Sequence, residues 1–310
     1  MSDVTIAYRD HDRTPLLYLI RDMAARHEGL EVGIQHVAGQ DEYEQGFLRG
    51  DLEIICEHLR FLYPARLEGH PVRCLAACQN WSNELLLARD RIATLSDLAG
   101  QTVAVRATPS SRITASFWLR HLGLEGRTEQ LVVDDAEVGR WQQWRKVSAG
   151  QASAVVCSPL YAGAALEAGL RQLHAPPLPE IGSLFFAALG PFVQTHEDEL
   201  RRLMRALYRA LCAFHRQPDL ALACMSDEPA RLMGLDEPMV RSHYQRLEAS
   251  YDRKPIPRPE ALANTFAILN EGYARLNGLN PLTLWDLRFI IELEEERFME
   301  HLEEDRSWTT

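Results

Sequence analysis

The sequence predicts an α/β protein of two lobes with a mostly helical C-terminal region. Three observations carry this. Short β-rich runs alternate with helical stretches from Val4 to Leu189. Two strand-like runs, residues 83–89 and 183–189, bracket a block built the same way, as crossing strands between two lobes would. From Glu197 onward the chain reads as helix after helix. Strands alternating with helices indicate layered α/β architecture with largely parallel sheets. With 310 residues the chain is long enough for two domains. The expected division is 1–85 with 186–310 in lobe 1 and 86–185 in lobe 2.

The elements follow in order. Val4–Tyr8 is a short apolar strand, followed by the polar turn 9–15. Pro15 suits the first turn of a helix, and Leu16, Leu17, Leu19, Ile20 and Met23 recur at helical spacing. Residues 30–37 read as a strand, 41–49 as a helix stopped by Gly50, and 53–56 as a strand running into Glu57 and His58. Residues 72–78 form another apolar run. In the second block, residues 91–100 make a one-turn helix closed by Gly100, 101–106 a strand, 107–111 a loop and 112–122 an amphipathic helix. A strand at 130–133, a helix ending at Gly150, a buried strand at 152–157 and a helix at 158–169 complete it. Trp141 and Trp144 sit one turn apart on an expected helix over 137–146, a spacing that reads as core. The C-terminal helices are expected at 196–216, 218–224, 228–233, 238–250, 259–276 and 282–303.

Composition narrows the function. Lys and Arg total 33 and Asp and Glu 44, a formal charge of −11, which argues against nonspecific binding to nucleic acid or anionic membranes. No apolar run approaches the ~20 residues of a membrane-spanning helix, so no membrane association is expected. The N-terminus has no basic segment, apolar segment or small-residue cleavage site, and the expected location is cytoplasmic. The six cysteines lie in apolar surroundings and read as buried free thiols. Cys74 and Cys78 have no matching second pair, so no metal is expected. No Gly-rich nucleotide loop or zincin motif is present, and no cofactor is expected.

Specific segments resemble a known fold. LLLARDRIATLSDLAGQTVAV, starting at Leu85, resembles the lobe-crossing segment of type II periplasmic-binding-protein folds. VSAGQASAVV, starting at Val147, is similar to a further motif of that family, with Ser153 where Asp is usual. FFAALG at 185–190 and the helix after it resemble sulfonate-, taurine- and thiamine-precursor-binding members. The resemblance covers about residues 1–225 and implies a ligand cleft between the lobes. TASFWLR at 114–120, with Glu57 after the third strand, resembles 4,5-dihydroxyphthalate decarboxylase, an enzyme branch of the fold. A weaker resemblance is to hydroxybiphenyl sulfinate desulfinase, whose nucleophilic cysteine follows the first strand; this chain carries His11 there.

Candidate residues cluster at strand ends, where open α/β sheets bind ligands. Ser110, Ser111 and Arg112 open a helix, whose N-terminus attracts anions, and Arg106 ends the strand before it. Ser158 and Tyr161 open another helix after Cys157. Arg9 and His11 follow the first strand, and Glu57 and His58 the third. Histidine can give or take a proton near neutrality. The expected function is a cofactor-independent, decarboxylase-like lyase on a small aromatic or conjugated acid. His11, Glu57 and His58 would be catalytic, and Arg9, Arg106, Ser110, Ser111, Arg112, Cys157, Ser158 and Tyr161 would bind the ligand. The alternative is a non-catalytic binding or sensor protein for a small carboxylate or sulfonate. The apolar residues along 282–303 suggest a homodimer through the C-terminal helices.

Overall fold

The computed structural model describes residues 2–56, 61–82, 84–139, 141–181, 184–272, 276 and 278–305. Its strands are β1 (Val4–Tyr8), β2 (Val32–His36), β3 (Ile54–Cys56), β4 (Val72–Ala77), β5 (Leu85–Ala88), β6 (Thr102–Arg106), β7 (Glu129–Val133), β8 (Ala154–Cys157), β9 (Arg171–Gln172) and β10 (Phe185–Leu189). They form two sheets, ordered β2-β1-β3-β10-β4 and β7-β6-β8-β5-β9. In each sheet one strand opposes its neighbours: β10 is antiparallel to β3 and β4, and β5 to β8 and β9.

The chain divides into two units. The first holds Met1–Asn80, Glu180–Ala263 and Arg275–Thr310; the second holds Trp81–Pro179 and Asn264–Ala274. These boundaries fall at 80/81 and 179/180, beside the expected 85/86 and 185/186. Asn264–Ala274 joins the second unit although sequence placed it with the first. The reason is packing: Ile268 is buried in the second unit's core.

In the first unit the interior strands are apolar on both faces, as central parallel strands are. The helix Glu197–Arg216 buries Leu200, Leu203, Met204, Leu207, Leu211 and Phe214 against Leu16, Leu19 and Ile20 of the helix Thr14–Met23. Each such side chain contributes about 1.5–3 kcal/mol by leaving water. In the second unit β6 alternates: Val103 and Val105 enter one core cluster and Ala104 the other.

Three local expectations are corrected. The helix expected at 112–122 spans Pro109–His121, because Thr108 is its cap and Pro109 lacks only an N–H that would be unpaired there. Ser110 and Ser111 therefore lie in its first turn, not in a loop. The helix expected at 137–146 is two short pieces, Asp135–Val138 and Trp144–Ser148, interrupted after Gly139 at φ 96°. The terminal helix is broken into Pro281–Leu284, Arg288–Glu295 and Phe298–Glu304, with Arg297 left-handed at φ 53°. Its Phe289, Ile290, Leu293, Phe298 and Met299 pack into the core of their own unit. Leu282 and Ile291 stay exposed, so most of the surface that suggested a dimer is already buried within the chain.

Candidate functional site

In the second unit the parallel strands β7, β6 and β8 end on one edge of the sheet, with Arg106 opposite Val133 in register. The helices Pro109–His121 and Pro159–Glu167 begin from the neighbouring ends of β6 and β8. Each begins with unpaired N–H groups and about half a positive charge. The Thr108 hydroxyl accepts from the Ser111 N–H at 3.4 Å and donates to Ser111 Oγ at 2.8 Å. Arg112 is exposed. Ser158 occupies the second cap position but makes no side-chain capping bond. A hollow of about 140 Å³ beside these ends is lined by Arg106, Ala107, Thr108, Asp134 and Asp135.

Arg106 is not a free anion ligand. Its Nε donates to Asp135 Oδ1 at 3.0 Å and Oδ2 at 2.9 Å, and its Nη2 to Oδ2 at 2.5 Å. Gln143 Nε2 adds a bond to Oδ1 at 2.8 Å. The Arg106 hydrogen bonds hold the Asp135 carboxyl below its usual range, with Gln143 assisting against partial burial. Sequence missed this pairing because Asp135 follows a different strand. The Arg106 guanidinium lies 4.3 Å from the Trp141 ring centre. Trp141 is left-handed at φ 61°, and its ring is nearly parallel to Tyr161, 6.2 Å between centres and 14° between planes.

Cys157 is 3% exposed and its Sγ contacts the Ser158 carbonyl at 3.4 Å. Burial, then the Glu84 charge, pushes the thiol up to about 12, so it stays protonated and packs in the core. Its expected ligand role is corrected accordingly.

In the first unit Tyr8 and His36 are paired in register at the ends of β1 and β2. His11, in the short helix His11–Arg13, accepts or donates at Nδ1 with the Tyr8 hydroxyl, 3.3 Å away. The His11 and His36 rings lie 4.4 Å apart, and His36 Nε2 bonds the Arg9 carbonyl at 2.8 Å. Burial, then His36, lowers the His11 pKa against the opposing Asp10 charge. Arg9 is half-buried, and its Nε is buried without a hydrogen-bond partner among the described residues. Tyr18 is pushed up to about 12 by burial and then by its hydrogen bond to Glu228. The strand-end argument that singled out His11 applies equally to His36, which the sequence reading left as structural. Glu57 and His58 lie outside the described residues, as does the side chain of Ser110. Among the described residues no three His, Cys, Asp or Glu side chains are grouped to hold a metal ion, and no helix is long and apolar enough to cross a membrane.

Comparison with known proteins now places this arrangement. A family model described as "NMT1/THI5 like" matches residues 26–221. No curated protein matches the sequence. Among solved structures, the periplasmic sulfonate-binding protein SsuA from Methylobacillus flagellatus KT aligns with a TM-score of 0.72 at 14% identity, over 96% of this chain and 95% of that one. The periplasmic aliphatic sulphonate binding protein SsuA from Escherichia coli aligns at 0.65 and 18% identity, over 87% and 86%. The desulfurization enzyme DSZB aligns at 0.60 and 16% identity, over 95% and 99%. At these identities the structures share the fold: two-lobed, α/β and of the periplasmic-binding-protein type.

Proposed function

The chain belongs to the NMT1/THI5-like family, and on that premise we propose that it binds a small organic anion, a sulfonate or carboxylate, without transforming it. The observation that carries the reading is the pair of helix N-termini, at 108–112 and 158–161, opening from adjacent parallel strand ends. Their N–H groups suit an oxyanion. Arg112 stands in the first of these helices, exposed and in no ion pair among the described residues. Structural neighbours described as sulfonate-binding proteins support the same ligand class. The binding alternative thus gains over decarboxylation. His11 has a lowered pKa, so at neutral pH it is largely unprotonated and has little proton to donate to a carbanion. The buried Cys157 thiol offers no nucleophile.

Isothermal titration of the purified chain with alkane- and arenesulfonates and the matching carboxylates tests this. Saturable binding is expected, with no sulfite or carbon dioxide released. Arg112→Ala should weaken binding about ten- to a hundredfold, the range for a charge-assisted hydrogen bond, with melting temperature nearly unchanged because the side chain is exposed. Product release, or no binding by any of these anions, overturns the reading.

A further inference from the structure

The geometry points to Trp141 and Tyr161 as an aromatic wall that selects aryl over alkyl anions in the second unit. This rests on the anion-binding reading and names its ligand class more narrowly.

Trp141 does not behave as a structural tryptophan. Trp118 shows what that looks like: 1% exposed, packed in the core, its indole N–H donated to the Pro176 carbonyl at 3.0 Å. Trp141 is only half-buried and belongs to neither core cluster of its unit. Its backbone adopts φ 61°, a conformation that bulky residues rarely take. The surroundings hold it there. Its backbone N–H reaches the Asp135 carboxylate, which Arg106 and Gln143 fix in place. The Arg106 guanidinium then lies against its ring. A paired arginine, a carboxylate and a glutamine thus hold one half-exposed ring in a conformation it would not choose.

That ring is nearly parallel to Tyr161. Tyr161 lies in the first turn of the helix Pro159–Glu167, beside one of the N-termini proposed to take the anion. A ligand with its charged group at the N-termini would have its next atoms against these faces. A planar aryl ring gains face or edge contact with both aromatics, whereas a flexible alkyl chain gains area alone and loses rotational freedom. Neither Trp141 nor Tyr161 needs to titrate, and no group need move.

The test is titration calorimetry with benzenesulfonate and hexanesulfonate on the wild type and on Trp141→Gly, Tyr161→Leu and Tyr161→Phe. The wild type should prefer the aryl ligand about 3- to 10-fold, the size of an aromatic pairing effect. Trp141→Gly and Tyr161→Leu should each remove that preference while changing hexanesulfonate affinity less than about twofold; Tyr161→Phe should keep it. Glycine tolerates positive φ, so Trp141→Gly should not lower the melting temperature. Equal wild-type affinities, or equal losses for both ligands together with a lowered melting temperature, overturn the aromatic selection and leave anion binding standing. Failure of the wild type to bind either sulfonate overturns the anion reading itself.

Discussion

Asn80, the last residue of the first unit before Trp81, ties down the segment 252–258. It is fully buried. Its amide donates to Asp252 Oδ2 at 2.9 Å and to the Ile256 carbonyl at 2.8 Å, and its Oδ1 accepts from the Arg258 N–H at 2.7 Å. Its backbone N–H donates to the same Asp252 oxygen at 2.9 Å, and its carbonyl accepts from Glu180 N–H at 3.1 Å. Asn80→Ala keeps the two backbone bonds and deletes the three side-chain bonds. Two are between neutral groups, at about 1 kcal/mol each, and the one to a carboxylate is worth about 1.5–3 kcal/mol. The expected loss is about 4 kcal/mol, which in a unit of this size lowers the melting temperature by about 8–16 °C. Asn80→Asp separates hydrogen bonding from shape. It keeps the outline but turns two donors into an acceptor facing Asp252, so at neutral pH it should lose more than alanine does. Calorimetric or urea unfolding of the three proteins decides. A loss below about 1 kcal/mol for Asn80→Ala, or tolerance of aspartate, would refute the reasoning.

Two further predictions concern charge and pH. Arg106→Gln leaves Asp135 without its main partner and should cost about 2–3 kcal/mol at neutral pH. Because the folded Asp135 pKa is depressed, its contribution is present above the ordinary Asp value and disappears as pH falls through the lowered one; melts at pH 7 and pH 3 should show the wild-type advantage shrinking in acid. His243 is 3% exposed, neither ring nitrogen has a hydrogen-bond partner among the described residues, and burial pulls its pKa down to about 4. The unfolded chain binds a proton near 6.5 that the folded one refuses, so stability falls as pH drops below 6.5, by about 2 kcal/mol between pH 7 and 5. His243→Leu should remove that slope in paired melts, and an unchanged slope would exclude His243 as its source.

Much of the fold was legible. Apolar strands such as Val4–Tyr8 and Thr102–Arg106, the helical spacing of Leu16, Leu17, Leu19, Ile20 and Met23, and the bracketed second block are local patterns, and burial repeats at the period of the element. The strand-end argument also led to Arg9, His11, Arg112, Ser158 and Tyr161. It failed where local pattern and local geometry part. The apolar periodicity of 282–303 continues through Arg297, so nothing in it announces the left-handed break. Nor does helical spacing reveal that Gly139 ends one short helix and that Trp141 stands between two.

What the sequence determined by itself was which residues stand at the strand ends. Alternation and chain direction place Arg106, Cys157, Tyr8 and His11 there without knowledge of any partner. Tertiary structure decided what each one does. Arg106 meets Asp135 across 29 positions because β6 and β7 lie side by side in register. His11 meets His36 because β1 and β2 do. Cys157 turns inward because the last residue of β8 falls on the core side of its sheet. Charge pairing, ring stacking and burial act over a few ångströms of space, and only the folded sheets bring those residues within that range.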